Sequence, residues 1–193
     1  MIKRILYYGS MILVGLSVGA GSVVALTSIS VVQGGIENGP WRTNALYGSA
    51  DAGPYLRTGV AITGLFALRK EETIYYMAST DSDGDLLDAN CRYRLKGVPP
   101  EARWWSFTLY AADHFLVDNP DGIYSVAKTG ALLGPGGNLE IVVSPDRQDG
   151  NWLPSTGAGP LFSITARLYH PAAGVYADLA GTPLPTIRKE GCL

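Results

Sequence analysis

Two hydrophobic patterns divide the chain. From Ile5 to Ile29 no residue is charged, and the stretch ILYYGSMILVGLSVGAGSVVALTSI is apolar on every side. At about 25 residues it makes a helix of roughly 37 Å, enough to cross a hydrocarbon core of about 30 Å. Beyond it, apolar and polar positions alternate over short runs, the period of half-buried strands. Cys91–Leu95 alternates cleanly. Trp104–Tyr110 sets Trp105, Phe107 and Leu109 against Trp104, Ser106, Thr108 and Tyr110. Phe162–Tyr169 sets Phe162, Ile164, Ala166 and Leu168 against Ser163, Thr165, Arg167 and Tyr169. Thr73–Ala78 and Leu139–Val143 are β-branched and aromatic runs of strand length.

These runs predict a mainly β fold, a sandwich or jelly roll with one or two short helices, behind a single N-terminal transmembrane helix. One helix is expected over 54–69, opened by Pro54 and closed at Arg69-Lys70. The domain organisation follows as a cytoplasmic N-terminus and transmembrane anchor in 1–30, a glycine-rich linker or loop in 31–53, and an extracytoplasmic β-sandwich domain in 54–193.

Charge orients the anchor. Lys3 and Arg4 precede the span, and the first charge after it is Glu37. The positive-inside rule puts the N-terminus in the cytoplasm and the domain outside. A cleaved signal peptide, with Val23 and Ala25 before the cut, is the rival reading, although the apolar run exceeds the usual signal core. Both export the domain. Gly15 and Gly19 form a G-x-x-x-G, a candidate homodimer face between membrane helices.

Composition narrows the functional classes. Removing Lys3 and Arg4 from the 15 basic residues leaves 13 against 17 acidic, with no basic run, which argues against nucleic acid. The high counts of 24 Gly and 12 Pro suit many turns between short strands. Cys91 and Cys192 lack metal-type spacing. They either pair in an oxidising compartment or remain two free thiols.

Candidate chemistry is sparse. Asp81, Asp83, Asp85 and Asp88 suggest a calcium loop, but the glycine comes too early and no bidentate Glu follows. A hairpin connection explains them better, and no metal or cofactor is expected. Asp113, His114 and Asp118 form the sole local acid–base cluster, and no G-x-S-x-G accompanies it. His170 sits before Pro171 at a strand end. No catalytic residue is assigned. The chain's four Trp and 11 Tyr are many for its size. Adjacent Trp104 and Trp105 must face opposite sides of a strand, so one faces outward. The candidate ligand- or partner-binding residues are Trp104, Trp105, Tyr110, Asp113, Asn151 and Trp152.

Several separated motifs, in order, resemble the domain-of-unknown-function 1214 family. They are DSDGDLLDANCRYRLKGVPPEARWWSFTLYAADHFLVDNP and SPDRQDGNWLPSTGAGPLFSITARLYHP, within a likeness over roughly 40–188. The resemblance implies a jelly-roll-like sandwich and supplies no catalytic residues. Some members carry a second uncharacterised domain, number 1254, ahead of this one. Others are short and membrane-anchored, like this chain, which implies a bacterial inner-membrane protein facing the periplasm and a partner chain bearing the other domain. Cys91 departs from the family pattern, and a Cys91–Cys192 bridge would be a local elaboration.

Three functions remain in view. The first is a non-enzymatic, membrane-tethered module that pairs with an envelope protein and carries an exposed aromatic patch. The second is a carbohydrate- or small-ligand-binding jelly roll, needing a cleft where Asn151, Asp113 or Arg103 converge with an aromatic platform. The third is an envelope enzyme built on Asp113, His114 and Asp118.

Overall fold

A computed structural model describes residues 2–33 and 35–192, with side chains given for all of these except 27–33. Helix α1 spans Ile2–Gln33, and its residues Ile2–Leu26 are long and apolar enough to cross a membrane. None of that stretch is buried. Strands follow: β1 (Ile36–Asn38), β2 (Trp41–Thr43), β3 (Thr73–Ala78), β4 (Cys91–Gly97) and β5 (Ala102–Ala111). The rest are β6 (Ser125–Ala127), β7 (Leu139–Ser144), β8 (Trp152–Pro154), β9 (Phe162–Pro171) and β10 (Thr186–Cys192). Helices α2 (Pro54–Ile62) and α3 (Ala173–Ala177) are short.

The strands form two sheets, ordered β1-β2-β3-β9-β5-β6 and β10-β4-β7-β8. All pairings are antiparallel except β7 with β8. Strands β3, β4 and β5 alternate between the sheets, and β9 inserts between β3 and β5, giving a jelly-roll-like sandwich. The alternation read from the sequence decides which residues meet between the sheets. Ile74 and Tyr76, Trp105 and Phe107, and Ile164 and Leu168 come from one side. Tyr93 and Leu95 with Leu139, Ile141 and Val143 come from the other.

Three expectations need correction. The stretch 31–53 is not all linker, because it holds the β1–β2 hairpin, turned by Gly39-Pro40 and paired to β3 through Arg42 and Met77. Trp41 from this hairpin is fully buried in the core. Helix α2 ends at Ile62 rather than 69. Gly64 stops it at φ +60, with the Leu65 amide donating to the Val60 carbonyl and the Gly64 amide to that of Ala61. That is a Schellman ending, which needs a left-handed residue after the last turn. Finally, the Asp81–Asp85 turn closes a short antiparallel bridge between Thr80 and Leu86 but does not make β3 and β4 hairpin partners, since they lie in different sheets. Its first carboxylate is spent locally: Asp81 Oδ1 accepts the amides of Asp83 and Asp85. Among the described residues no group of three His, Cys, Asp or Glu could hold a metal.

The outer face of the smaller sheet is an ion-pair lattice. Arg94 of β4 reaches both Glu190 of β10 and Glu140 of β7, and Arg92 meets Glu190 at 2.7 Å. The hydrogen bond from Arg94 holds the Glu190 carboxyl below its ordinary value of 4.5, against the opposing effect of burial. A carboxylate depressed by folding contributes stability that is full above its unfolded pKa and lost as pH falls through the folded one. Melts at about pH 6 and about pH 3 should therefore differ less in Glu190→Gln than in wild type. Equal differences would show that this carboxylate contributes nothing.

Candidate functional site

The larger sheet has the more unusual outer face. Register across β5 and β9 aligns Trp104 with Tyr169, Ser106 with Arg167, Thr108 with Thr165, and Tyr110 with Ser163. On the β3 side Tyr75 lies opposite Arg167 and Met77 opposite Thr165. Small hydroxyls thus form a floor, and larger side chains stand around it. Ser106, Thr108 and Thr165 are buried, while Trp104, Tyr110, Arg167 and Tyr169 are half-buried.

The segment after α2 lies over the β3–β9 side of this face. The Leu68 amide donates to the Tyr75 hydroxyl at 2.9 Å. Thr63, Gly64 and Leu65 close a recess with Met77, Thr165 and Arg167, and Tyr110 and His114 also line it. Arg167 sits at its heart. Its guanidinium donates to the Tyr110 hydroxyl at 2.7 Å and lies 5.4 Å from that ring's centroid. Among the described residues no carboxylate pairs with it. The turn after β5 forms the rim: the Ala111 amide donates to the Phe115 carbonyl and the His114 amide to the Ala111 carbonyl, and His114 is left-handed at φ +68. That turn leaves Phe115 73% exposed and Leu116 48% exposed.

The six candidates from the sequence do not form one site. Trp104 faces outward as the alternation requires, edge-to-face on Tyr169 at 5.3 Å, and donates to the Thr129 hydroxyl. Tyr110 joins it on the same sheet face. Trp105 is its inward neighbour and is packed in the core. Trp152 is not exposed either. It is buried beside Ser144, whose carbonyl and hydroxyl accept its indole N–H at 3.2 Å. Asn151 clamps a loop, donating to Leu132 and Glu140 carbonyls and accepting the Leu132 amide. Asp113 is exposed and accepts the Phe115 amide, an Asx turn. Of the acid–base cluster, only His114 lines the recess. Gly15 and Gly19 lie on α1 with open space beside them.

That recess holds about 20 Å³, far below the roughly 300–1,000 Å³ of small-molecule sites. It is not a cavity for a ligand.

A family model described as "Protein of unknown function (DUF1214)" matches residues 72–173, more than half of the chain. The chain belongs to this family. The matched stretch of the DUF1214 domain runs from β3 to β9 and is shorter than the likeness read from the sequence. Hairpin β1–β2, α2 and β10, including Cys192, lie outside it. Among solved structures the domain is similar to the VPA0106 protein from Vibrio parahaemolyticus, with a TM-score of 0.57 and 22% identity. That match covers 70% of this chain and 34% of the other. A putative uncharacterized protein from Burkholderia cenocepacia aligns at TM-score 0.49 and 14% identity, over 90% of this chain and 41% of the other. The chain therefore spans well under half the length of either. No curated protein matches it.

Two features escaped the sequence reading. Arg167 looked like one more solvated position on an alternating strand, and only the β5–β9 register sets it against Tyr110 and the small hydroxyls. The charge-free run from Thr58 to Leu68 lies inside the helix expected over 54–69, and α2 takes up only its first part.

Proposed function

We propose that this chain is a non-enzymatic, membrane-tethered assembly module of a bacterial inner membrane. Its N-terminus is cytoplasmic, and its DUF1214 domain faces the periplasm. There it docks a second envelope protein that carries the domain-of-unknown-function 1254 part which long family members hold in the same chain. The bare apolar α1 and the Lys3-Arg4 pair before it support the topology. A bond between Cys91 and Cys192 supports an oxidising compartment.

Arg167 carries the docking reading. It is half-buried at the centre of a sheet face, has no carboxylate partner among the described residues, and is held by Tyr110, with Trp104 on the same face and the exposed Phe115 in the turn that bounds it. Arg, Tyr and Trp are the residues around which binding energy concentrates, and a charge of this kind gains most when a partner supplies its counter-ion. Tethering both chains to one membrane raises their effective concentration, so a modest interface suffices. The ligand-binding alternative lacks a cleft built from its residues, since Asn151 and Asp113 are engaged in their own loops.

The test is co-expression with a domain-1254 protein from the same genome, with benzoylphenylalanine in place of Phe115. The expected result is a one-to-one photo-adduct. Arg167→Ala should weaken the complex by about 2 kcal/mol, roughly thirtyfold in Kd. No adduct, together with an unchanged complex in Arg167→Ala, would sink the proposal.

A further inference from the structure

The apolar surface of α2 and its flanking loops is unexplained by the docking face. From Thr58 to Leu68 there is no charge. Leu56, Gly59 and Leu65 are buried, whereas Ile62 is 65% exposed and Phe66 is 92% exposed. Phe66 is also left-handed, at φ +46, a conformation that costs a side-chain-bearing residue energy. In water this arrangement gains nothing, because it strains the backbone to hold a phenyl ring in solvent. Leu46 joins the same surface from the preceding loop. That loop is held close by Gly48, where a Cβ would stand 2.3 Å from the Leu68 carbonyl oxygen. Leu46, Ala52, Val60, Ala61 and Phe66 line an open, mainly apolar recess of about 450 Å³.

We infer that this surface seats in the headgroup region of the bilayer that α1 spans, as a second, shallow membrane contact. The inference rests on the reading of α1 as a transmembrane helix. Three observations favour lipid as the occupant. Helix α1 ends at Gln33 and β1 begins at Ile36, so about 10 Å of chain separates them. Of the domain's elements, α2 is the one that α1 runs beside. The apolar run is closed by exposed Arg69 and Lys70, whose stems can lie along lipid while their heads meet phosphates. Glu71 and Glu72 follow at once, so the seat depends on apolar burial more than on charge.

The experiment uses the full chain in liposomes of phosphatidylcholine and phosphatidylglycerol. With Cys91 and Cys192 bonded to each other, a single introduced cysteine takes the dye NBD selectively. Labels go at Phe66→Cys, at Leu132→Cys on the other sheet's edge, and at Leu13→Cys within α1. The expected result is that labels at 66 and 13 are blue-shifted and quenched severalfold by brominated lipid, while the label at 132 stays water-like. Added salt should leave the signal at 66 in place. Quenching at 13 with a water-like signal at 66 would overturn the inference and leave the anchor standing. A blue shift at 66 that brominated lipid does not quench would assign the surface to a protein and also overturn it. No quenching at 13 would remove the transmembrane reading itself.

Discussion

Breaking the Cys91–Cys192 bond, by reductant or by Cys192→Ala, is expected to lower the stability of the domain by about 4 kcal/mol and its Tm by roughly 10 °C. The bond joins residues 101 apart and ties the end of β10 to the start of β4, where the two cysteines are register partners. A crosslink over so long a loop removes much of the entropy of the unfolded chain, and the chain-entropy model gives between 4 and 5 kcal/mol at about this length. Little else holds β10. It is an edge strand whose only neighbour is β4, and Ile187 is its only buried residue. Its remaining hold is polar: Arg94 and Arg92 on Glu190, Lys189 on Asp85, and the Ser82 hydroxyl accepting the Ile187 amide. Such exposed pairs contribute little each. The oxidised domain should therefore melt well above the same domain made reduced, and the two should converge in dithiothreitol. A shift under about 1 kcal/mol would show that β10 is held by its ion pairs and backbone ladder.

The weak hold on β10 also explains why the strand was missed in the sequence. Its residues Thr186–Cys192 bury one side chain, so no alternation marks them. The other missed strands, β1, β2, β6 and β8, are three residues long, too short to show a period. Where a strand has one face in the core, as Phe162–Tyr169 and Trp104–Tyr110 do, the pattern gave both the element and the inward face. Trp105 inside and Trp104 outside follow from alternation alone. What alternation cannot give is which strand lies beside which. The turn residues Asp81–Asp85 are the same whether the chain returns in its own sheet or crosses to the other. The pairing of Ser106 with Arg167 likewise depends on β9 inserting between β3 and β5. The family motifs could not point to Arg167 either, since they supply no binding residues. Trp152 misled for a related reason. A tryptophan on the outward face of a strand counts as exposed until a loop covers it, and here it is buried with its indole N–H satisfied by Ser144.

Trp41→Ala is expected to be the most damaging single substitution in the stretch that the sequence assigns to a linker, at about 4 kcal/mol. Trp41 is 1% exposed, packs edge-to-face on Phe107 at 5.8 Å, and donates its indole N–H to the Pro185 carbonyl at 2.8 Å. Truncation opens a cavity between the sheets and strips that carbonyl of its donor. Trp41→Phe separates the two costs, because it keeps most of the apolar contact and loses the hydrogen bond, for about 1–2 kcal/mol. Both are read from denaturant midpoints of the oxidised protein. The change should also reach the anchor. Beside the pairing of β2 with β3, Trp41 and the Asn38 amide, which donates to the Thr182 carbonyl at 2.7 Å, fasten the β1–β2 hairpin to the sandwich. With Trp41 gone, residues 35–53 should become sensitive to protease, and the domain would hang from α1 on a tether several times longer. In Trp41→Ala a label at residue 66 should then lose its quenching by brominated lipid while one at residue 13 keeps it. If Trp41→Ala costs under 1 kcal/mol, the hairpin is a passive extension of the sandwich.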